Sequence, residues 1–93
     1  MRVLVVEDDK NLREQLASAL ADAGYTVDSA ADGEEGQFLG ETEPYDLVIL
    51  DLGLPKVDGL SVLKSWRKDE KTMPVLILSA RDRWSEKVEG LDL

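Results

Sequence analysis

The chain has 93 residues, of which 43% are hydrophobic and 33% charged, so we expect one small globular domain and not a catalytic domain joined to a second binding domain. Twenty acidic and eleven basic residues give a net charge of −9, the wrong sign for binding nucleic-acid phosphates or anionic lipid directly. The lack of cysteine and histidine excludes disulfides, the usual zinc sites and Ser-His or Cys-His catalysis. Any chemistry must use carboxylates, hydroxyls and a metal ion held by oxygen. The sequence has no basic leader and no long apolar segment, so we expect a cytoplasmic protein without membrane contact.

The first strand and helix are predicted from an apolar run and from the spacing of leucines. The continuous apolar run at residues 3–6 is typical of a strand buried on both faces, and it ends at Glu7, Asp8 and Asp9. Asp9 is a plausible N-cap for a helix with leucines at every fourth position. Gly24 is the expected stop of that helix.

A second strand and helix follow with a weaker pattern. Residues 25–30 alternate weakly between apolar and polar side chains, which favours a strand. Asp32 and Glu35 resemble a capping box that opens a helix of roughly ten residues through Leu39. Two glycines inside this helix weaken the prediction: Gly36 and Gly40.

A third buried strand repeats the arrangement of the first. The apolar run at residues 47–50 also ends in a carboxylate, Asp51. A loop rich in turn-forming residues follows it. For four residues of this loop, a role in shaping the turn is favoured over a chemical role: Gly53, Pro55, Asp58 and Gly59.

The remaining pattern predicts one more helix and strand, and the start of a fourth helix. Leu60, Leu63 and Trp66 have helical spacing, and the apolar run at residues 75–78 predicts a fourth strand that ends at Ser79. The order is therefore β-α-β-α-β-α-β. A further helical stripe is expected from Trp84, Val88 and Leu91.

Strands that alternate with helices pair in parallel through right-handed crossovers, so their carboxyl ends lie along one edge of the sheet. Ligands bind at that edge, where this sequence places Glu7, Asp8 and Asp51. On adjacent strands about 5 Å apart, two such charges repel by about 3 kcal/mol at an effective dielectric near 20. A cation would relieve this repulsion, and ligation by oxygen alone selects Mg²⁺, with Mn²⁺ as a substitute. For Asp9, helix capping is the favoured explanation. For Ser79 taken alone, a strand-end hydroxyl without a role is as good an explanation as a functional one.

Together these residues resemble the receiver domain of two-component response regulators. The resemblance rests on Glu7-Asp8 after strand one, Asp51 after strand three, Pro55-x-x-Asp58-Gly59, and Ser79-Ala80-Arg81 after strand four. Separations of 43 residues from Asp8 to Asp51 and of 28 from Asp51 to Ser79 are similar to those of the OmpR/PhoB subfamily. Two stretches look closest to PhoP-type transcriptional regulators: Asp51-Leu52-Gly53-Leu54-Pro55 and Trp84-x-x-Lys87-Val88-Glu89. The implied fold is α/β, a flavodoxin-like (CheY-like) doubly wound parallel sheet of order 2-1-3-4, with strand five and the last helix missing.

The resemblance also implies a function. Asp51 would be the phosphoacceptor for a phosphohistidine on a sensor histidine kinase, and the chain would not be a conventional multiple-turnover enzyme. Asp8 would bind Mg²⁺ directly, Glu7 at least partly through water, Asp51 as a further ligand and Gly53 through its backbone carbonyl. The Ser79 hydroxyl would bond to a phosphoryl oxygen. Control of transcription would pass through a C-terminal winged-helix DNA-binding domain outside this chain.

The family's Lys-Pro motif and aromatic switch residue would lie beyond Leu93, so residues 1–93 are expected to form a receiver domain that is incomplete at its C-terminus. Without a neighbouring strand, residues 75–78 would present an exposed apolar edge. We therefore expect self-association through this edge, and an inactive, self-associating receiver fragment is one alternative function.

Two other functional classes compete with the receiver interpretation. A metal-dependent, phosphatase-like hydrolase with Asp51 as nucleophile commonly has a second Asp two residues later, where this sequence has Gly53. A flavodoxin-like nucleotide or flavin binder would need a glycine-rich phosphate loop after strand one. This sequence has three carboxylates at that position.

Overall fold

A computed structural model describes residues 1–78 and 86–89 of the chain. Within this part, strands and helices alternate up to residue 78, as the apolar runs and helical spacings predict. The strands are β1 (Arg2–Val6), β2 (Thr26–Ala30), β3 (Leu47–Asp51), β4 (Val75–Leu78) and β5 (Glu86–Glu89). The helices are α1 (Lys10–Asp22), α2 (Gly33–Thr42) and α3 (Gly59–Lys68).

The described strands form one sheet in the order β2-β1-β3-β4-β5. The first four are parallel, so the predicted order 2-1-3-4 and the doubly wound parallel fold are confirmed. In the register of β1 with β3, Val6 lies opposite Leu50. The residues that follow these two, Glu7 and Asp51, are therefore brought to the same edge of the sheet.

The end of the described chain differs from the prediction. Glu86–Glu89, expected within a helix, forms β5 and pairs antiparallel with β4, with Leu76 opposite Val88. The helical spacing of Val88 with its neighbours is outweighed because β4 offers unpaired backbone N–H and C=O groups along its length. The expectation that β4 is an exposed edge is therefore wrong, since β5 occupies that edge. Trp84 and Leu91 lie outside the described residues.

Both faces of the sheet carry apolar clusters. One face holds the larger core, in which Leu4 and Val48 of the sheet and Trp66 of α3 are fully buried. On the other face, Val5 and Ile49 pack against half-buried leucines of α1. Burial on both faces explains why β1, β3 and β4 are continuous apolar runs.

The glycines of α2 allow close packing. A Cβ on Gly36 would lie 2.6 Å from Cγ1 of Val6, and one on Gly40 would overlap the indole of Trp66. Both glycines are buried, and Trp66 donates its indole N–H to the Gln37 carbonyl at 3.2 Å. The low helix propensity of glycine is thus offset by tight contacts with β1 and α3.

Each of the helices in the described part of the chain is preceded by an aspartate N-cap. The side chains of Asp9, Asp32 and Asp58 accept hydrogen bonds from backbone N–H groups three residues later. Glu35 accepts a bond at 3.2 Å from the N–H of Ala31, the residue before the cap, so the reciprocal bond of the predicted capping box comes from this neighbouring N–H and not from that of Asp32. Of the helices in the described residues, none is long and apolar enough to cross a membrane.

Candidate metal centre

Three carboxylates meet at the carboxyl edge of the sheet. Glu7 directly follows β1, Asp51 ends β3, and Asp8 begins the turn into α1. One carboxylate oxygen of each lies within 4.8 Å of the other two. Glu7 and Asp51 are only 2% and 3% exposed, whereas Asp8 is open to solvent. The structure therefore brings together the three side chains that the sequence places at this edge.

Burial and mutual repulsion disfavour the ionised forms of these groups. Burial raises the pKa of Glu7 to about 7, with further increases from the charges of Asp51 and Asp8, while a hydrogen bond from the Asp9 backbone opposes the shift. Burial also raises the pKa of Asp51; the Gly53 backbone N–H opposes this and the Asp8 charge adds to it. Without a cation, the cluster is electrostatically unfavourable.

The donor set fits a hard divalent cation. Glu7 Oε2 accepts a bond from the Asp9 N–H at 3.0 Å, but Glu7 Oε1 is buried and has no hydrogen-bond partner among the described residues. Buried carboxylate oxygens rarely lack a partner. An orphaned oxygen beside two further carboxylates suits Mg²⁺, which takes oxygen ligands and retains waters on its open side. Glu7, Asp8 and Asp51 are the residues that would hold the ion.

Other residues singled out from the sequence take different places. Gly53 lies beside Asp51, with its N–H 3.4 Å from Asp51 Oδ1. Asp9 and Asp58 are helix caps, as expected from their positions. Gly59 lets α3 begin against the end of β3, because a Cβ there would overlap the carbonyl oxygen of Asp51. Ser79 lies outside the described residues.

One residue at the site went unnoticed in the sequence. Nη1 of Arg13, on α1, lies 3.0 Å from the carbonyl oxygen of Glu7 and 3.4 Å from that of Asp8. The available signal was a basic residue near the start of a helix, where the positive end of the helix dipole disfavours cations.

Comparison with known proteins shows the family of this chain. The family model of the response regulator receiver domain matches residues 3–93. This chain belongs to that family. The receiver domain is 50% identical over 93 residues to the transcriptional regulatory protein PmrA of Pectobacterium parmentieri, covering all of this chain and 42% of that protein. It is 46% identical over 91 residues to the transcriptional regulatory protein PhoP of Escherichia coli strain K12, covering 98% of this chain and 41% of that one.

These matches confirm the resemblance to PhoP-type regulators, and the receiver domain spans about two fifths of the length of both relatives. Among solved structures, it superimposes with a TM-score of 0.80 on the response regulator TrrA of Thermotoga maritima in complex with Mg²⁺-BeF. That match has 41% identity and covers 87% of this chain and 70% of the other.

Proposed function

We propose that this receiver domain accepts a phosphoryl group on Asp51 from a phosphohistidine of a sensor histidine kinase, in a reaction that requires Mg²⁺. The observation that carries this proposal is the position of the Asp51 carboxylate at the end of β3, within 4.8 Å of carboxylate oxygens of Glu7 and Asp8. Ionised carboxylates held this close repel one another, a bound cation relieves that repulsion, and the cation makes the same place attractive to a phosphoryl group. The TrrA structure with Mg²⁺-BeF supports this choice of ion.

The proposed reaction is a direct transfer between two nucleophiles. A carboxylate oxygen of Asp51 forms a bond to phosphorus while the phosphorus–nitrogen bond of the phosphohistidine breaks; the imidazole nitrogen keeps the electron pair and takes up a proton. The product on this chain is an acyl phosphate. Bound Mg²⁺ supplies positive charge that offsets the negative charge of the transferred group. Gly53 would contribute its carbonyl as a ligand and Ser79 a hydroxyl to a phosphoryl oxygen.

In this role the domain is a phosphoacceptor and not a conventional multiple-turnover enzyme. The phosphoryl group adds negative charge and new hydrogen-bond acceptors, which turn the modification into a conformational signal. Because the similar proteins are named transcriptional regulators, we infer that a longer protein uses this domain to control transcription. A C-terminal winged-helix domain would make the DNA contacts, in keeping with the net charge of −9 of this chain.

The test uses acetyl phosphate as the phosphodonor with the purified chain and Mg²⁺, followed by intact-mass measurement and peptide mapping. We expect one phosphoryl group on Asp51, no modification in EDTA, and modification again with Mn²⁺. Asp51→Asn should abolish it. Asp46→Asn is the matched control, because Asp46 precedes the opposite end of the same strand, and it should remain phosphorylatable. Modification of another residue, or none in a folded chain that binds Mg²⁺, would contradict the proposal; multiple turnover of a phosphate ester would favour a hydrolase.

Self-association through the β4 edge stays a prediction. In the structure that edge pairs with Glu86–Glu89, so a second chain could use it only if β5 left it. Light scattering across a range of protein concentrations tests this. A monodisperse monomer with cooperative unfolding would contradict it.

A further inference from the structure

Arg13 ties the two acidic residues after β1 to the first turns of α1. Its half-buried side chain turns back toward the start of the helix, as helical side chains do. Nη1 is 3.0 Å from the carbonyl oxygen of Glu7 and 3.4 Å from that of Asp8. The guanidinium therefore contacts the backbone of the very residues whose carboxylates approach Asp51.

Hydrogen bonds donated by backbone N–H groups also hold the segment of residues 7–9. The Glu7 N–H donates to the carbonyl of Ala30 at 3.0 Å, and the Asp9 N–H donates to Glu7 Oε2 at 3.0 Å. These bonds fix the N–H side of the segment, and Arg13 bonds to its carbonyl side. The positions of both carboxylates depend on this backbone.

A positive charge at the position of Arg13 does not stabilise α1 itself. It is the fourth residue of α1, near the positive end of the helix dipole, which disfavours a cation. Hydrogen bonds from a charged donor are stronger than those from a neutral one. The 3.0 Å bond to the Glu7 carbonyl and the weaker 3.4 Å bond to that of Asp8 offset the unfavourable placement.

We propose that Arg13 is a positioning residue for cation binding: it holds the Glu7 and Asp8 backbone so that their carboxylates meet Asp51. This inference rests on the proposed function, because it concerns the same cation site. Groups that orient ligands from behind typically change metal affinity by about 10–100-fold when removed.

Positioning and simple electrostatics predict opposite results. Arg13 is positive, so removing it should strengthen the binding of a cation if only its charge mattered. If it positions the ligands, removing it should weaken binding although a repelling charge has gone. The sign of the change therefore decides between the two roles.

The experiment is a calorimetric Mg²⁺ titration of the unmodified chain, Arg13→Met, Arg13→Lys and Arg67→Met. Methionine keeps an apolar stem without donors, and lysine keeps the charge without the planar fork. Arg67→Met is the matched control, because Arg67 also donates to a carbonyl, that of Lys71 at 2.8 Å, but lies at the end of α3 remote from the site. Urea unfolding in EDTA measures the stability of each variant separately.

We expect Arg13→Met to bind Mg²⁺ about tenfold more weakly, Arg13→Lys to bind it more weakly than the unmodified chain, and Arg67→Met to retain the affinity of the unmodified chain. Equal or tighter Mg²⁺ binding by Arg13→Met would overturn this inference but not the proposed function. If that variant does not fold, unchanged affinity in Arg13→Lys would overturn it. Absence of Mg²⁺ binding by the unmodified, folded chain would overturn the proposed function itself.

Discussion

The carbonyl oxygen of Pro55 accepts a 3.2 Å hydrogen bond from the backbone N–H of Gly33. This bond joins the loop after Asp51 to the first residue of α2. A Cβ on Gly33 would overlap the carbonyl oxygen of Val57, so only glycine allows the two segments to approach this closely. The loop that contains Gly53 is therefore fixed by its contact with α2.

We predict that Gly33→Ala destabilises the domain by about 1–3 kcal/mol, because the added methyl forces this loop away from α2. Helix propensity alone would give the opposite sign, since alanine is favoured over glycine by up to about 1 kcal/mol. Urea unfolding measures the change. Gly53→Ala is the control: its Cβ would meet only Asp51 Oδ2, at 4.0 Å, so we expect a change below about 0.5 kcal/mol. A Gly33→Ala variant as stable as the unmodified chain would contradict the packing argument.

Lys56, in the same loop, has a backbone angle φ of 69°, which is unfavourable for a residue with a side chain. The Val57 N–H donates across it to the Pro55 carbonyl at 2.8 Å, which forms a tight three-residue turn. The Nζ of Lys56 lies 3.6 Å from Asp32 and 3.9 Å from Glu34, but the Lys56 side chain is 60% exposed. These ion pairs therefore contribute little to stability. The backbone strain outweighs them.

We therefore predict that Lys56→Gly stabilises the domain by about 1 kcal/mol, because glycine relieves the strain of the left-handed conformation. Lys56→Ala removes the same ion pairs but keeps the strain, and we expect it to change stability by less than about 0.5 kcal/mol. Thermal or urea unfolding of both variants checks this. A loss of stability in both would show instead that the ion pairs dominate.

The sequence predicted the parts of this fold in which local pattern and tertiary structure agree. The apolar runs of β1, β3 and β4 are buried on both faces of the sheet, so a short window of sequence carries their whole signal. Parallel pairing then dictates that the residues after β1 and β3 meet, so the sequence alone predicts that Glu7, Asp8 and Asp51 lie together.

The features that went unpredicted depend on contacts distant in sequence. Pairing of β5 with β4 overrides a local helical spacing, and Gly40 is explained only by the indole of Trp66, which lies 26 residues later. Arg13 acts through backbone carbonyls, which leave no trace in side-chain chemistry. Local rules cannot anticipate interactions of these kinds.

A hydrogen-bonded cluster of Asp28, Tyr45 and Arg2 should give the domain an acid-sensitive component of stability. Asp28 Oδ2 accepts bonds from the Tyr45 hydroxyl and from Arg2 Nη2, both at 2.8 Å. The Tyr45 bond, followed by the bond and charge of Arg2, lowers the pKa of Asp28 below its ordinary value of 3.8. The folded state therefore binds this proton less readily than the unfolded chain does.

It follows that the contribution of Asp28 is fully present above its unfolded pKa near 4 and is lost as the pH falls through its lower folded value. We predict that Asp28→Asn is less stable than the unmodified chain at neutral pH and that the difference shrinks in acid. Urea unfolding across this pH range measures it. Tyr45→Phe removes the largest cause of the lowered Asp28 pKa and should reduce the pH dependence of stability. If the stability difference between Asp28→Asn and the unmodified chain were the same at every pH, Asp28 would not be the source of the acid-sensitive stability.

In the metal-free chain, Asp8 contributes repulsion and little else. It is exposed, and a carboxylate oxygen lies within 4.8 Å of those of Glu7 and Asp51. We predict that Asp8→Ala stabilises the domain in EDTA by about 1 kcal/mol or less, since solvent screens an exposed charge. With Mg²⁺ the order should reverse, because a ligand that binds only the folded state stabilises it in proportion to its affinity, and the variant has lost a ligating group.

Thermal unfolding in EDTA and in saturating Mg²⁺ tests both halves of this prediction. Glu14→Ala is the control, because Glu14 is an exposed carboxylate of α1 outside the cluster; it changes the net charge by the same amount and should leave the gain from Mg²⁺ intact. If Asp8→Ala were clearly destabilised in EDTA, the three carboxylates would not repel one another as their separation requires. If it kept the full gain from Mg²⁺, the cation would be bound without Asp8, and the ligand set would have to be reassigned.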